Sequence, residues 1–164
     1  MPDTLHLALR HHQQGQLDQA AQFYLAILAV QPAHPEALHL LGVVAHQKGD
    51  HAGAVELIAR AIAGNPCDAM YHANLAEAYR ALGRLDQAIA SCRAALRLRP
   101  DYPEAANNLG LALLGQGKID DAVAQLGEAL RLKPDYAMAC NNLGNALRLR
   151  GDWNEAEQHF RRAV

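Results

Sequence analysis

The sequence predicts an all-α fold built from five copies of one helical hairpin, and three observations carry that prediction. The tetrapeptide Asn107-Asn108-Leu109-Gly110 returns unchanged, 34 residues on, as Asn141-Asn142-Leu143-Gly144. Three ladders share its period: Gly15, Gly49, Gly83, Gly117 and Gly151; Ala20, Ala54, Ala88, Ala122 and Ala156; and Pro32, Pro66, Pro100 and Pro134. Such a period marks a stack of one supersecondary unit. The apolar share of 51% is mostly Ala and Leu, strong helix formers, while β-branched and aromatic residues that favour strands are sparse.

With each copy numbered so that its proline falls at 32, the repeats run 1–34, 35–68, 69–102, 103–136 and, incomplete, 137–164, and they fill the chain as one repeat domain. The fourth copy displays every element in turn. Ala106, Leu109, Gly110 and Leu113 mark one face of a first helix at spacings that suit a 3.6-residue period. Gly117 ends that helix, because glycine enters the left-handed cap without a Cβ clash. Asp120 or a neighbour opens the second helix, where a carboxylate meets unpaired N–H groups and the positive end of the dipole. Ala122, Leu126 and Ala129 continue one apolar face, and Pro134 closes the repeat because it cannot extend a helix interior. The small residue at position 8 (Ala8, Gly42, Ala76, Gly110, Gly144) is expected to face the alanine at position 20 and let the two helices approach closely. A lone hairpin cannot bury its apolar stripe, so successive hairpins must stack.

Small residues at 8, Ala at 20, a large residue at 24 (Tyr24, Ile58, Cys92, Leu126, Phe160), Ala or Ile at 27 and Pro at 32 resemble the tetratricopeptide repeat signature. The likeness covers the whole chain. It departs where position 4 is never Trp, where only Tyr79 keeps the aromatic at 11, and where the last repeat lacks its proline. The resemblance implies a right-handed α-α superhelix of five helix-turn-helix repeats, ten helices in all. Its first helices would line a concave groove with positions 2, 5, 6, 9, 12 and 13.

On that frame the candidate groove residues are His39, Asn74, Glu77, Arg80, Asn107, Asn108, Asn141, Asn142, Asn145 and Arg148. An asparagine amide carries one acceptor and two donors, the complement of a peptide main chain. A row of them at repeat spacing could hold an extended peptide by its backbone, similar to the asparagine ladder of O-linked N-acetylglucosamine transferases. The same residues could instead form a solvated inner face or hydrogen-bond the neighbouring repeat. The family's carboxylate clamp is not expected, because positions 2, 5, 6 and 9 contain no Lys or Arg and the groove cations Arg80 and Arg148 both sit at position 12. His6, His12, His39 and His46 also fall on groove positions. Equivalent positions in stacked helices lie roughly 8–10 Å apart, too far to share a metal ion readily, so they read as polar lining.

No nucleophile elbow, phosphate-cradling loop or HExxH is present, and Cys67, Cys92 and Cys140 have neither disulfide-framework nor zinc spacing. The formal charge of −2 provides no basic stripe for phosphates. No run of apolar residues is long enough to span a bilayer. The reading is therefore a non-enzymatic, cytoplasmic interaction scaffold without cofactor or metal, whose partner is a peptide or protein and neither nucleic acid nor membrane. The alternatives are the recognition part of a larger enzyme such as a glycosyltransferase, or a self-assembling adaptor. Because Val164 stands at position 28 of its repeat, Leu147, Trp153, Phe160 and Val164 are expected to form an open apolar end, covered by further chain or by a second copy.

Overall fold

The computed structural model describes residues 2–163, with side chains from residue 4 to 163. Every regular element among them is an α-helix: α1 (Pro2–Gln13), α2 (Leu17–Val30), α3 (Pro35–Gln47), α4 (His51–Gly64), α5 (Ala69–Ala81), α6 (Leu85–Leu98), α7 (Pro103–Gly115), α8 (Ile119–Leu132), α9 (Ala137–Arg150) and α10 (Trp153–Arg162). None is long and apolar enough to cross a membrane. The chain divides into two compact units, Met1–Leu82 and Gly83–Val164.

In the first unit α1 pairs with α2, α3 with α4, and α5 packs on α4; α3 also touches α2 and α5. In the second, α6 packs on α7, α7 pairs with α8, and α9 lies between α8 and α10 while also touching α7. The turn inside each repeat is the glycine ladder, with φ from +70° at Gly83 to +101° at Gly151, a backbone region in which a Cβ is strained. Among the first helices, α3 opens with both Pro35 and a cap, His34 Nδ1 accepting from Ala37 N; α7 opens with Pro103, α5 with Asp68 Oδ1 accepting from Met70 N, and α9 with neither.

Position 8 is small for a reason slightly different from the expected one. A Cβ built on Gly110 would lie 2.6 Å from Leu126 Cγ and 3.3 Å from the Ala122 carbonyl oxygen; on Gly42 it would meet Ile58 Cγ1 at 2.6 Å and the Ala54 carbonyl oxygen at 3.3 Å. The first helix thus rests on the backbone at position 20 and against the side chain at 24. Leu126 and Ile58 are fully buried there.

Asp120, expected to open α8, does not cap it. Asp50 caps α4 by accepting from Gly53 N, but α8 begins after Lys118 with no side-chain cap bond. Asp120 instead lies 3.6 Å from Arg150 at the end of the next first helix, as Asp18 lies 2.6 Å from Lys48 and Asp86 accepts from Gln116 at 2.6 Å. Position 18 therefore bridges to position 14 of the following repeat while keeping its negative charge in a helix's first turn.

The expected open apolar end is smaller than the sequence suggests. Leu147 is buried, and Phe160 is half-buried because its ring fills the space that a Cβ on Gly144 would need. Trp153 is 64% exposed, and Val164 lies outside the described residues.

Candidate peptide-binding face

Positions 5 and 6 of the first helices do not stand side by side as independent hooks. Position 6 of one repeat reaches back to position 5 of the repeat before it. Asn74 Nδ2 donates to His39 Nε2 at 2.8 Å, and Asn142 Nδ2 donates to Asn107 Oδ1 at 2.8 Å. In the first pair of repeats the same two positions are Leu5 and Leu40, which join one apolar cluster with Tyr24 and Val44. The two positions thus form an imidazole–amide pair, an amide–amide pair and, between the first two repeats, part of one apolar cluster.

Burial follows from that link. His39 and Asn107 are 1% and 0% exposed, and Asn108, which accepts weakly from Asn107 Nδ2 at 3.5 Å, is also buried. Asn74 and Asn142 are half-buried. Two of the alternatives open at the sequence level therefore separate by residue: Asn74, Asn107 and Asn142 hydrogen-bond across repeats, whereas Asn141 is exposed and Asn145 half-buried on the same face of α9. Glu77 is half-buried on α5, and Arg80 and Arg148 are exposed at the ends of α5 and α9.

The histidines line the first unit without converging. His39 stacks on Tyr71, with ring centroids 4.3 Å apart. Because Asn74 donates to Nε2, the neutral ring carries its proton on Nδ1, which is buried without a hydrogen-bond partner. Burial pushes its pKa down to about 4, with Asp68 acting against the shift and His12 adding to it. His12 Nε2 donates to Gln47 Oε1 at 2.9 Å, and its Nδ1 lies 3.4 Å from the buried Tyr24 hydroxyl, whose pKa burial raises to about 12. His46 and His51 meet through their Nδ1 atoms at 3.1 Å, one donating to the other; burial, and then His51, hold His46 below the usual imidazole range. Among the described residues no three His, Cys, Asp or Glu side chains are placed to hold a metal ion.

A recess of about 70 Å³ opens between α3 and α5, lined by Val43, His46, Gln47, Ile58, Asn74 and Glu77. Sequence reasoning reached Asn74 and Glu77 and missed Gln47, Tyr71 and the His46–His51 contact. Gln47 could have been found by pairing each residue with the one 35 positions on, one more than the repeat, since His12–Gln47, His39–Asn74 and Asn107–Asn142 all obey that offset.

The architecture is that of a helical-hairpin repeat protein. The chain matches the family described as Tetratricopeptide repeat over residues 5–69 and 107–164, and TPR repeat over 76–117. It belongs to the tetratricopeptide repeat family. Among curated proteins it is 36% identical over 81 residues to the TPR repeat-containing thioredoxin TTL4 of Arabidopsis thaliana, and 37% identical over 76 residues to the inactive TPR repeat-containing thioredoxin TTL3. These matches take in 49% and 46% of this chain but only 12% and 11% of those proteins. Among solved structures, TTC0263, a thermophilic TPR protein of Thermus thermophilus, is 27% identical with a TM-score of 0.85, covering 99% of this chain and 89% of that one. MamA of Desulfovibrio magneticus is 19% identical with a TM-score of 0.84 over 98% and 90% of the two chains. YrrB, described as a TPR protein with an unusual peptide-binding site, is 20% identical with a TM-score of 0.75 over 98% and 83%. The fold class expected from the sequence, all-α hairpin repeats of the α-α superhelix type, is the one found.

Proposed function

We propose that this chain is a cytoplasmic, non-catalytic interaction scaffold whose five repeats act as one domain and hold an extended peptide along the first-helix faces. The observation that carries the reading is the free stripe of α9. Met138 is 58% exposed, Asn141 and Arg148 are exposed, and Asn145 is half-buried, at spacings that set them along one helical face. Apolar, amide and cationic groups in one row suit a peptide that offers both backbone and side chains. The resemblance to the asparagine ladder of O-linked N-acetylglucosamine transferases supports the same mode. In this chain the ligand-facing members on the second unit are Asn141, Asn145, Arg148 and, in part, Asn142; on the first unit they are Glu77 and Arg80. The buried His39, Asn107 and Asn108 shape the face from beneath. The description of YrrB as peptide-binding is consistent with this.

The test is affinity for peptides selected from a random phage-displayed library. Asn141→Ala with Asn145→Ala is expected to weaken a selected peptide about 5- to 150-fold while leaving helicity unchanged, since each neutral hydrogen bond contributes about 0.5–1.5 kcal/mol. Unchanged affinity would contradict the groove reading. A second reading, a recognition module of a larger enzyme, draws support from the thioredoxin relatives, of which this chain matches a small part. Self-association through the exposed Trp153 would appear in light scattering as mass rising with concentration.

A further inference from the structure

We infer that the recess between α3 and α5 is a selectivity pocket for a lysine side chain of the bound peptide, with Glu77 as its counter-ion. The inference rests on the groove reading above and names the ligand chemistry at one point of it. The lining divides cleanly by type. Val43 supplies an apolar wall, with the fully buried Ile58 behind it, which suits a tetramethylene stem. Around them stand hydrogen-bond acceptors: the Glu77 carboxylate, the Asn74 carbonyl and the Gln47 carbonyl. Asn74 commits an N–H to His39, and Gln47 Oε1 accepts only one proton from His12, so each amide keeps acceptor capacity. An ammonium has three donors and no acceptor, the complement of such a rim.

The recess is small, about 70 Å³. The equivalent positions of the second unit are Leu111, Leu114, Gly115, Asn142 and Asn145, with Leu126 behind them, and they contain no carboxylate. Charge selection is therefore a property of the first unit.

The charged and titratable groups around the recess are His46 on α3, His51 on α4, and Glu77 and Arg80 on α5. Arg80 is exposed on the same helix, three residues beyond Glu77. His46 is neutral at neutral pH, because burial and His51 both oppose its protonation. Acid adds a positive charge to the rim, so binding of a lysine peptide weakens as pH falls.

Panning a random decapeptide phage library at pH 7.5 against the wild-type chain and against Glu77→Gln tests this. The wild-type pool is expected to fix lysine at one position, and the Glu77→Gln pool to retain peptides while losing that preference. For one selected peptide, replacing that lysine by methionine is expected to weaken binding to wild type at least tenfold, about the worth of a hydrogen bond to a charged group, and to leave binding to Glu77→Gln nearly unchanged. Selected peptides without a fixed lysine, or a loss under about threefold on wild type, overturn the pocket while leaving the groove intact. The wild-type arm of that second measurement needs no protein variant, so it stands even if Glu77→Gln fails to fold. If no peptide is enriched by either protein, the groove reading itself fails and the pocket falls with it.

Discussion

The two units share a hairpin, a turn and an interface geometry, yet they join their repeats with different chemistry. All the histidines but His159 lie in the first unit, whose only Lys and Arg are Arg10, Lys48, Arg60 and Arg80; the second is rich in Arg and Asp and uses amides at the same places. The first unit closes positions 5 and 6 with Leu5 and Leu40 and then with His39 and Asn74, and the second closes them with Asn107 and Asn142. The fold requires that the pair fill the space, and in the first unit it does so while leaving His39 Nδ1 buried and unpartnered. The selection among solutions decides how each unit responds to protons.

The largest effect expected should not distinguish the units at all. Leu126→Ala in the second and Ile58→Ala in the first each remove a fully buried side chain at position 24, and each should cost about 2–5 kcal/mol in urea unfolding. A loss confined to one unit's variant would mean that the hairpins are not equivalent. Acid should separate them. His39 has a native pKa of about 4 against about 6.5 when unfolded, so the unfolded chain binds its proton first. Its contribution is therefore complete above about pH 6.5, falls as pH drops through that window, and is gone near pH 4, an amplitude of about 3 kcal/mol. His39→Asn should flatten that part of the stability–pH curve, and an unaltered slope would show that His39 does not carry it.

A smaller effect sharpens the contrast within the interface. Asn142→Ala removes the donor to the buried Asn107 carbonyl and should cost about 1–3 kcal/mol. Changing Asn107 and Asn142 together to Leu, the pair found between the first two repeats, should recover most of that loss in thermal melts. Recovery would show that the amide pair is replaceable packing; failure would mean that the amides also order their surroundings. The smallest effect belongs to Asp120→Ala, whose pair with Arg150 is solvent-exposed: no measurable change in Tm is expected.

The helices were legible in the sequence because their signals are local. The glycine ladder sits at every turn with positive φ, and the small residues at position 8 sit where a Cβ would strike position 24. The candidate site was legible only in part. Asn107 and Asn141 are the same letter at the same repeat position, yet one is fully buried and the other exposed. The difference is that α9 packs on α7, and the Asn142 amide covers Asn107. Likewise Asp120 reads locally as a cap, but its partner Arg150 belongs to the next repeat. A repeat position fixes which face a residue occupies, and the neighbour's side chain decides whether that face remains open.

Amide hydrogen exchange resolved by residue, on the wild-type chain at pH 7.5, 6.0 and 5.0 and corrected for intrinsic rates, tests the comparison most directly. Protection of α3 and α5, the helices joined by His39 and Asn74, is expected to fall stepwise with acid. Protection of α7 and α9, joined by Asn107 and Asn142, is expected to stay constant, with any acid loss in the second unit confined to α10, where burial and Arg162 hold His159 below its ordinary range. Equal loss across α3, α5, α7 and α9 would contradict the claim that the chemistry at positions 5 and 6 sets each unit's response.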